Sequence, residues 1–268
     1  MISDLLNMEI KGKANGLPTL VLVHGVAGSM HIWDPIFNEL SASYQVVRLD
    51  LLGYGHSPKP RVEYTPTEHV AAIRRTLLHH GIQPPYHLAG LSMGVTLVLS
   101  FASLFPDEVA SIIGIGYPYY ASEAAAKRGL RHDTWAGLTI AHPAMASLII
   151  PPTWWLGRIG VLPTHMFTKI YSPLMAHDTM LNPYRVFRST IWNCMVHVNP
   201  EKLLGYSSAK RRLFIHGDLD KWAPAGEVQA AVATYPNTSF VHIPNAEHNL
   251  VVLEPAKTLS LMLDFLES

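Results

Sequence analysis

The sequence predicts an α/β protein: a mostly parallel, doubly wound sheet with an all-helical segment inserted late in the chain. Three observations carry that expectation. Apolar, β-branched runs of strand length alternate with helix-length amphipathic runs at βαβ spacing over residues 1–116 and again over 206–268. Between them, residues 117–205 show helical patches and no convincing strand. At the centre of the first block, an apolar run from Tyr86 to Leu91 passes through Gly90-Leu91-Ser92-Met93-Gly94 straight into a helix-length run ending at Phe105 and Pro106. A chain that goes from strand to helix without a loop must turn sharply, and the residue at the apex is forced into strained backbone with its side chain pushed outward.

Residues 4–12 fit an edge strand, and Thr19–His24 reads as a strand buried on both faces because its apolar run does not alternate. Gly25–Ser29 is a loop. Met30–Leu40 reads as a helix with Trp33, Ile36, Phe37 and Leu40 on one face. A second strand, Tyr44–Leu49, runs into the Gly-rich loop Asp50-Leu-Leu-Gly-Tyr-Gly-His-Ser57, in which Asp50 and His56 read as structural. Thr65-Pro66 opens a helix that continues to His80 and stops at Gly81. After the Ser92 unit comes a strand at Val109–Gly116.

The insertion reads as helices at Ser122–Leu130, Thr134–Ile149, Pro163–Ala176 and Pro183–Val196, separated by Pro-containing turns. It is rich in Trp and Met, as expected of a cap over the strand ends. It carries eight Lys or Arg against four Asp or Glu, although the whole chain has 20 of each. Its cations are expected on a solvated face; Arg158 and Arg188, each among apolar residues, are the two candidates for pairing with a substrate carboxylate. The alternation resumes with a strand at Arg212–His216, a helix at Pro224–Tyr235, a strand at Ser239–Ile243 and a final helix over 250–266.

Composition removes several function classes. With 49% hydrophobic and 15% charged residues the 268-residue chain is globular rather than disordered, and its formal net charge of zero gives no global case for nucleic acid. The single cysteine excludes an internal disulfide. The N-terminus lacks the long apolar stretch of a signal peptide, and no apolar run is long enough for a membrane span, so a cytoplasmic protein is expected. The 15 histidines show no paired ligand spacing with an acid, and no phosphate-binding Gly loop precedes a helix. Neither metal nor cofactor is expected, and the partner is a small-molecule substrate. The sequence leaves oligomeric state open.

A serine hydroxyl is a poor nucleophile unless a base takes its proton and an acid orients the base. In an open parallel sheet such groups converge at the carboxyl ends of strands. His248 follows the last strand, and Asp218 and Asp220 follow the one before it. Asp220 is preferred as the acid because Asp218 suits a turn residue bonding its own loop. Backbone N–H groups of Met93, at the start of a helix, and of Val26, after Gly25, are expected to receive the negative charge of an acyl intermediate. His24, Gly25, Tyr117, Trp154 and Trp222 are expected to line the substrate site.

Taken together, His24-Gly25, Asp50–Ser57, Gly90–Gly94, Gly217-Asp-Leu-Asp220…Pro224 and Glu247-His248 resemble the α/β-hydrolase fold superfamily over nearly the whole chain. The pattern is most similar to its capped group of esterases, haloperoxidase-like proteins, lactonases and carbon–carbon bond hydrolases. That resemblance implies a Ser-His-Asp triad with the acid at Asp220 and hydrolysis of small, largely apolar carboxylic esters. Dehalogenases and epoxide hydrolases of this fold carry Asp where this chain has Ser92. Carbon–carbon hydrolases of ring-cleavage products often carry Trp after the histidine, where this chain has Asn249. A slow-turnover ligand-binding or signalling protein that keeps the triad is the alternative outside catalysis.

Overall fold

In the computed structural model, residues 5–14, 16–131, 134–159, 173–207 and 210–268 are described. Seven strands form one sheet: β1 (Met8–Lys11), β2 (Thr19–Val23), β3 (Val46–Leu49), β4 (Tyr86–Leu91), β5 (Val109–Ile115), β6 (Arg211–Gly217) and β7 (Thr238–Ile243), in the spatial order β1-β3-β2-β4-β5-β6-β7. Only β1 runs antiparallel, at the edge against β3; every other pairing is parallel. β4 therefore sits mid-sheet, and its carboxyl end is flanked by those of β2 and β5.

The central strands β2, β4 and β5 are mostly apolar and almost wholly buried because both faces are covered, while the edge strands β1 and β7 are partly exposed. Along β2 the side chains alternate, so Leu20 and Leu22 join one buried cluster while Val21 and Val23 join the other. The first cluster is completed by α1 (Asp34–Ser43), through Ile36, Phe37 and Leu40, and by Met262 and Leu266 near the C-terminus. The second is completed by α2 (Pro66–His79) and α3 (Met93–Leu104). α2 starts where the sequence places it. Thr65 accepts from the Glu68 N–H at 3.3 Å, the Glu68 carboxylate accepts from the Thr65 N–H at 2.8 Å, and Pro66 fills the first turn.

Between β5 and β6 lie α4 (Glu123–Leu130), α5 (Thr134–Ala141), α6 (Pro143–Arg158), α7 (Pro173–Met180), α8 (Tyr184–Ile191), a π-helical turn at Trp192–Val196 and α9 (Pro200–Tyr206). Among the described residues this insertion contains no strand. It is tied to loops of the sheet by side-chain bonds. Thr179 donates to the Ala27 carbonyl at 2.7 Å, Asn182 accepts from the Gly55 N–H at 2.9 Å, and Arg185 donates to the Pro60 and Lys59 carbonyls.

Four sequence expectations are corrected. Met30–Trp33 is a separate 3₁₀ turn, and α1 begins only at Asp34 with Pro35 in its first turn. The single helix expected over 134–149 divides at His142-Pro143, where proline starts a new helix more readily than it continues one. α6 then runs through Pro151 and Pro152 instead of ending at Ile149. Ser147 and Leu148, whose carbonyls lose their helical donors there, are solvent-exposed, so water can replace them. The final helix is broken into α11 (Leu250–Leu253) and α12 (Pro255–Glu267), preceded by α10 (Ala225–Val232). Pro255 pushes Glu254 out of the helical region, to φ −131° and ψ 51°. Of the helix expected at Pro163–Ala176, residues 163–172, with Met166 and Lys169, lie outside the described residues.

Burial disfavours the charged form of four core histidines: His24 is lowered, His69 is pushed down to about 3, and His87 and His216 to about 4. Between the ordinary value of 6.5 and these folded values the unfolded chain binds protons that the folded chain refuses. Stability is therefore fully present above pH about 6.5 and falls as pH drops toward 4, by about 1.4 kcal/mol per pH unit for each histidine. The urea midpoint should fall markedly between pH 7 and pH 5. A midpoint unchanged over that range would show that these side chains titrate normally in the fold.

Candidate active site

Ser92 stands at the carboxyl end of β4 with φ 55° and ψ −124°, a strained conformation for a residue with a side chain. The turn holds because its surroundings over-determine it. The Ser92 N–H donates to the Ile115 carbonyl on β5 at 2.8 Å. α3 leaves so close to β2 that a Cβ on Gly94 would lie 2.4 Å from the Val23 carbonyl oxygen, so position 94 must be glycine.

His248 and Asp220 come from the loops after the last two parallel strands. His248 follows β7, and its Nε2 lies 2.9 Å from Ser92 Oγ. Its Nδ1 lies 2.7 Å from Asp220 Oδ2, on the loop after β6. The second oxygen of Asp220 accepts from the N–H groups of Trp222 and Ala223, both at 2.9 Å. Burial opposes the charge on Asp220, but the bond and charge of His248 and those two N–H groups outweigh it and hold the carboxyl below its ordinary value. Asp220 is thus an anion that fixes the Nδ1–H tautomer and leaves Nε2 free to take a proton from Ser92. Asp218, the other candidate acid, is exposed two residues away. Ser92, His248 and Asp220 are each less than a tenth exposed.

The loop after β2 closes the other side. A Cβ on Gly25 would lie 3.0 Å from Ser92 Cβ, so glycine lets this loop reach the serine. Ala27 takes φ 57°, which bends the loop at the residue after Val26. The Val26 N–H has no acceptor among the described residues. Met93 is the first residue of α3, where the N–H has no carbonyl a turn behind it. Neither the Val26 nor the Met93 N–H is thus committed to a carbonyl among the described residues.

Two expected substrate contacts turn out differently. His24 is fully buried, with Nδ1 2.7 Å from the Gly25 carbonyl and Nε2 accepting from the Leu51 N–H at 3.0 Å, so both nitrogens are spent on holding the loop. Trp154 packs in the core of the insertion between Trp135 and Phe187, with ring centroids 6.3 and 5.3 Å away. Gly25 and Trp222 are brought to the site, whereas Tyr117 is buried. The Trp222 ring lies 4.9 Å from that of His248. Gly116, just before Tyr117, is close enough to His248 that a Cβ there would sit 3.1 Å from Cε1. Tyr117 lines a cleft with Thr96, one turn after Ser92, and with Met195 of the insertion.

His216 was not legible as a site residue. It is buried at the end of β6, accepts from the Tyr117 N–H at 3.2 Å and contacts the Ala223 carbonyl at 3.3 Å, so it braces the acid's loop against the segment after β5. A histidine immediately before Gly217-Asp-Leu-Asp220 is the only sequence signal for it. Asp50 is structural as expected, accepting from the N–H groups of Met30 and His56 and from the Asn7 amide. Among the described residues, no group of three or more His, Cys, Asp or Glu is arranged to hold a metal ion.

A family model described as alpha/beta hydrolase fold matches residues 18–144, which contain β2 to β5 and the Ser92 turn. The chain superposes on a thermophilic esterase from Thermogutta terrifontis with a TM-score of 0.74 at 21% identity, covering 98% of this chain and 93% of that one. The chain has the α/β-hydrolase fold. Among the curated proteins similar to this chain, 2-(acetamidomethylene)succinate hydrolase of Mesorhizobium japonicum is 22% identical over 280 residues, 98% of this chain and 92% of that protein. Probable lysophospholipase BODYGUARD 4 of Arabidopsis thaliana is 30% identical over 133 residues, which are 47% of this chain. The match covers only 32% of that relative, and 23–28% of the other plant proteins of this name.

Proposed function

We propose that this α/β-hydrolase is a serine hydrolase of small, largely apolar carboxylic esters, working through an acyl-enzyme, with residues 117–205 acting as a cap over the site. The observation that carries the reading is the hydrogen-bonded chain Ser92–His248–Asp220 on the strained turn. Ser92 Oγ attacks the ester carbonyl carbon while His248 Nε2 takes its proton. The N–H groups of Val26 and Met93 receive the oxyanion. The intermediate collapses, the alcohol leaves with the proton from His248, and water deprotonated by His248 then releases the acid and frees Ser92. Trp222 borders His248 and supplies an aromatic wall for an apolar acyl or alcohol part.

The test is labelling by a fluorophosphonate probe together with a panel of p-nitrophenyl esters of increasing acyl length. Labelling with useful turnover supports the reading. Neither labelling nor turnover would favour a ligand-binding protein that has kept the constellation.

A second reading, a hydrolase of carboxylate-bearing substrates, including a carbon–carbon bond hydrolase, draws support from the likeness over 98% of the chain to an enzyme named for a succinate. The side chains weigh against it, because Arg158 and Arg188 are both exposed. Arg188→Met should leave kcat/KM for neutral esters within about threefold, since no transition-state contact is removed. A loss above about 100-fold on a carboxylate-bearing ester, with neutral ester turnover intact, would reverse the preference.

A further inference from the structure

The outer face of α6 is apolar where a helix on a water-facing surface should be polar. Met145 is 50% exposed, Leu148 77%, Ile149 43%, Trp155 59% and Ile159, just past the helix end, 51%; Pro152 is exposed between them. Their spacing of 3, 4, 7, 10 and 14 residues from Met145 places all six on one stripe of the helix. The opposite face, Ala146, Ile150, Trp154 and Gly157, is the one buried in the insertion. Both faces are thus apolar, and only one is used. A contiguous exposed stripe of this kind marks a surface that another apolar phase covers.

Charge says which phase. α6 contains no acidic residue, and Arg158 closes it. Lys59, on the loop after β3, has its ammonium lowered from the ordinary value first by burial, which Asp50 opposes and which the neighbouring positive charges of Arg158 and Arg185 reinforce. Arg158 therefore stands exposed at the carboxyl end of the stripe, while Lys59 and Arg185 are held by backbone carbonyls and Asp50 and Asp178 also act on Lys59. On the larger scale, residues 117–205 carry eight Lys or Arg against four Asp or Glu, while the rest of the chain carries 12 against 16. The neutral chain is a dipole with its positive side on the insertion that bears the stripe.

The geometry points to α6 as an interfacial helix that lays the insertion onto an anionic lipid surface, with Leu148, Ile149 and Trp155 in the acyl boundary and Arg158 at the headgroups. At 16 residues α6 is about 24 Å long, too short to cross a bilayer, and among the described residues no helix is long and apolar enough to do so. It lies in the plane instead, where buried apolar area and attraction to anionic headgroups add. A tryptophan and branched aliphatics beside basic residues are the composition that such binding uses. The inference does not rest on the ester reading, because binding needs no turnover.

The experiment is co-sedimentation of the full chain with vesicles of phosphatidylcholine alone or mixed with phosphatidylglycerol, with tryptophan emission followed in parallel. The chain should bind the mixed vesicles more strongly than the neutral ones, with a blue-shifted emission that Trp155→Phe removes, and added salt should weaken binding. Leu148→Asp and Trp155→Asp should each weaken binding by about tenfold or more, and Arg158→Gln by about fivefold. All three should hydrolyse a water-soluble ester within about twofold of wild type, which also reports that they are folded. Failure of the wild-type chain to bind mixed vesicles, or equal binding by Leu148→Asp, would overturn the inference. So would a wild-type dimer on gel filtration that Leu148→Asp converts to monomer, since the stripe would then belong to a second copy of the chain.

Discussion

Ser92→Ala is expected to lower kcat by about 10⁴ or more, and His248→Ala by a similar factor, with the fold intact in both. The two losses should not add, because nucleophile and base act as one unit: removing either leaves the other nothing to do. The 2.9 Å contact between Ser92 Oγ and His248 Nε2 is the physical reason. What survives in either variant is the pull of the Val26 and Met93 N–H groups and the confinement of the substrate. Ser92→Ala also relieves nothing in the backbone, since alanine keeps the Cβ that strains φ 55°. Its stability should stay close to wild type. The decisive measurements are single-turnover rates on p-nitrophenyl acetate and probe labelling of each variant and of the double variant. More than about a tenth of wild-type activity in Ser92→Ala would mean that another group attacks the carbonyl.

The zero net charge of the chain conceals an uneven distribution that counting the insertion separately makes legible. Counting the total gives no reason to expect an anionic surface as partner, yet the imbalance is divided between insertion and core. The centre of the sheet was legible because β2, β4 and β5 are buried on both faces and read as largely apolar runs. The Ser92 turn was legible because a strand-to-helix passage without a loop admits few solutions. The insertion was less so. Pro151-Pro152 reads as a helix stop, but both prolines sit on an exposed part of α6 where water can take the orphaned carbonyls. Trp154 and His24 carry the residue types of a binding site, yet one packs the insertion's own core and the other holds a loop. Which way a side chain points on a short helix or a strand-end loop is set by its tertiary neighbours, and local sequence does not contain them.

Asp220→Asn should cost about as much as losing the base, roughly 10⁴ in kcat, although the substitution is nearly isosteric. The reason lies in the second oxygen. Oδ1 accepts from the N–H groups of Trp222 and Ala223, and those two donors would hold the amide oxygen of an asparagine in its place. The amide NH₂ must then face His248 Nδ1, now 2.7 Å from Asp220 Oδ2, and it can only donate. His248 is driven to the tautomer with its proton on Nε2, the nitrogen that faces Ser92, and it can no longer take the proton of Ser92 Oγ. The structure of the variant should be unchanged, since every hydrogen bond finds a partner. Asp218→Asn removes an exposed charge that accepts nothing from His248, and kcat should stay within about threefold of wild type. Parallel kcat measurements on the two variants decide the assignment. A larger loss in Asp218→Asn than in Asp220→Asn would move the acid to Asp218 and would require the His248 ring to turn away from the partner that now fixes it.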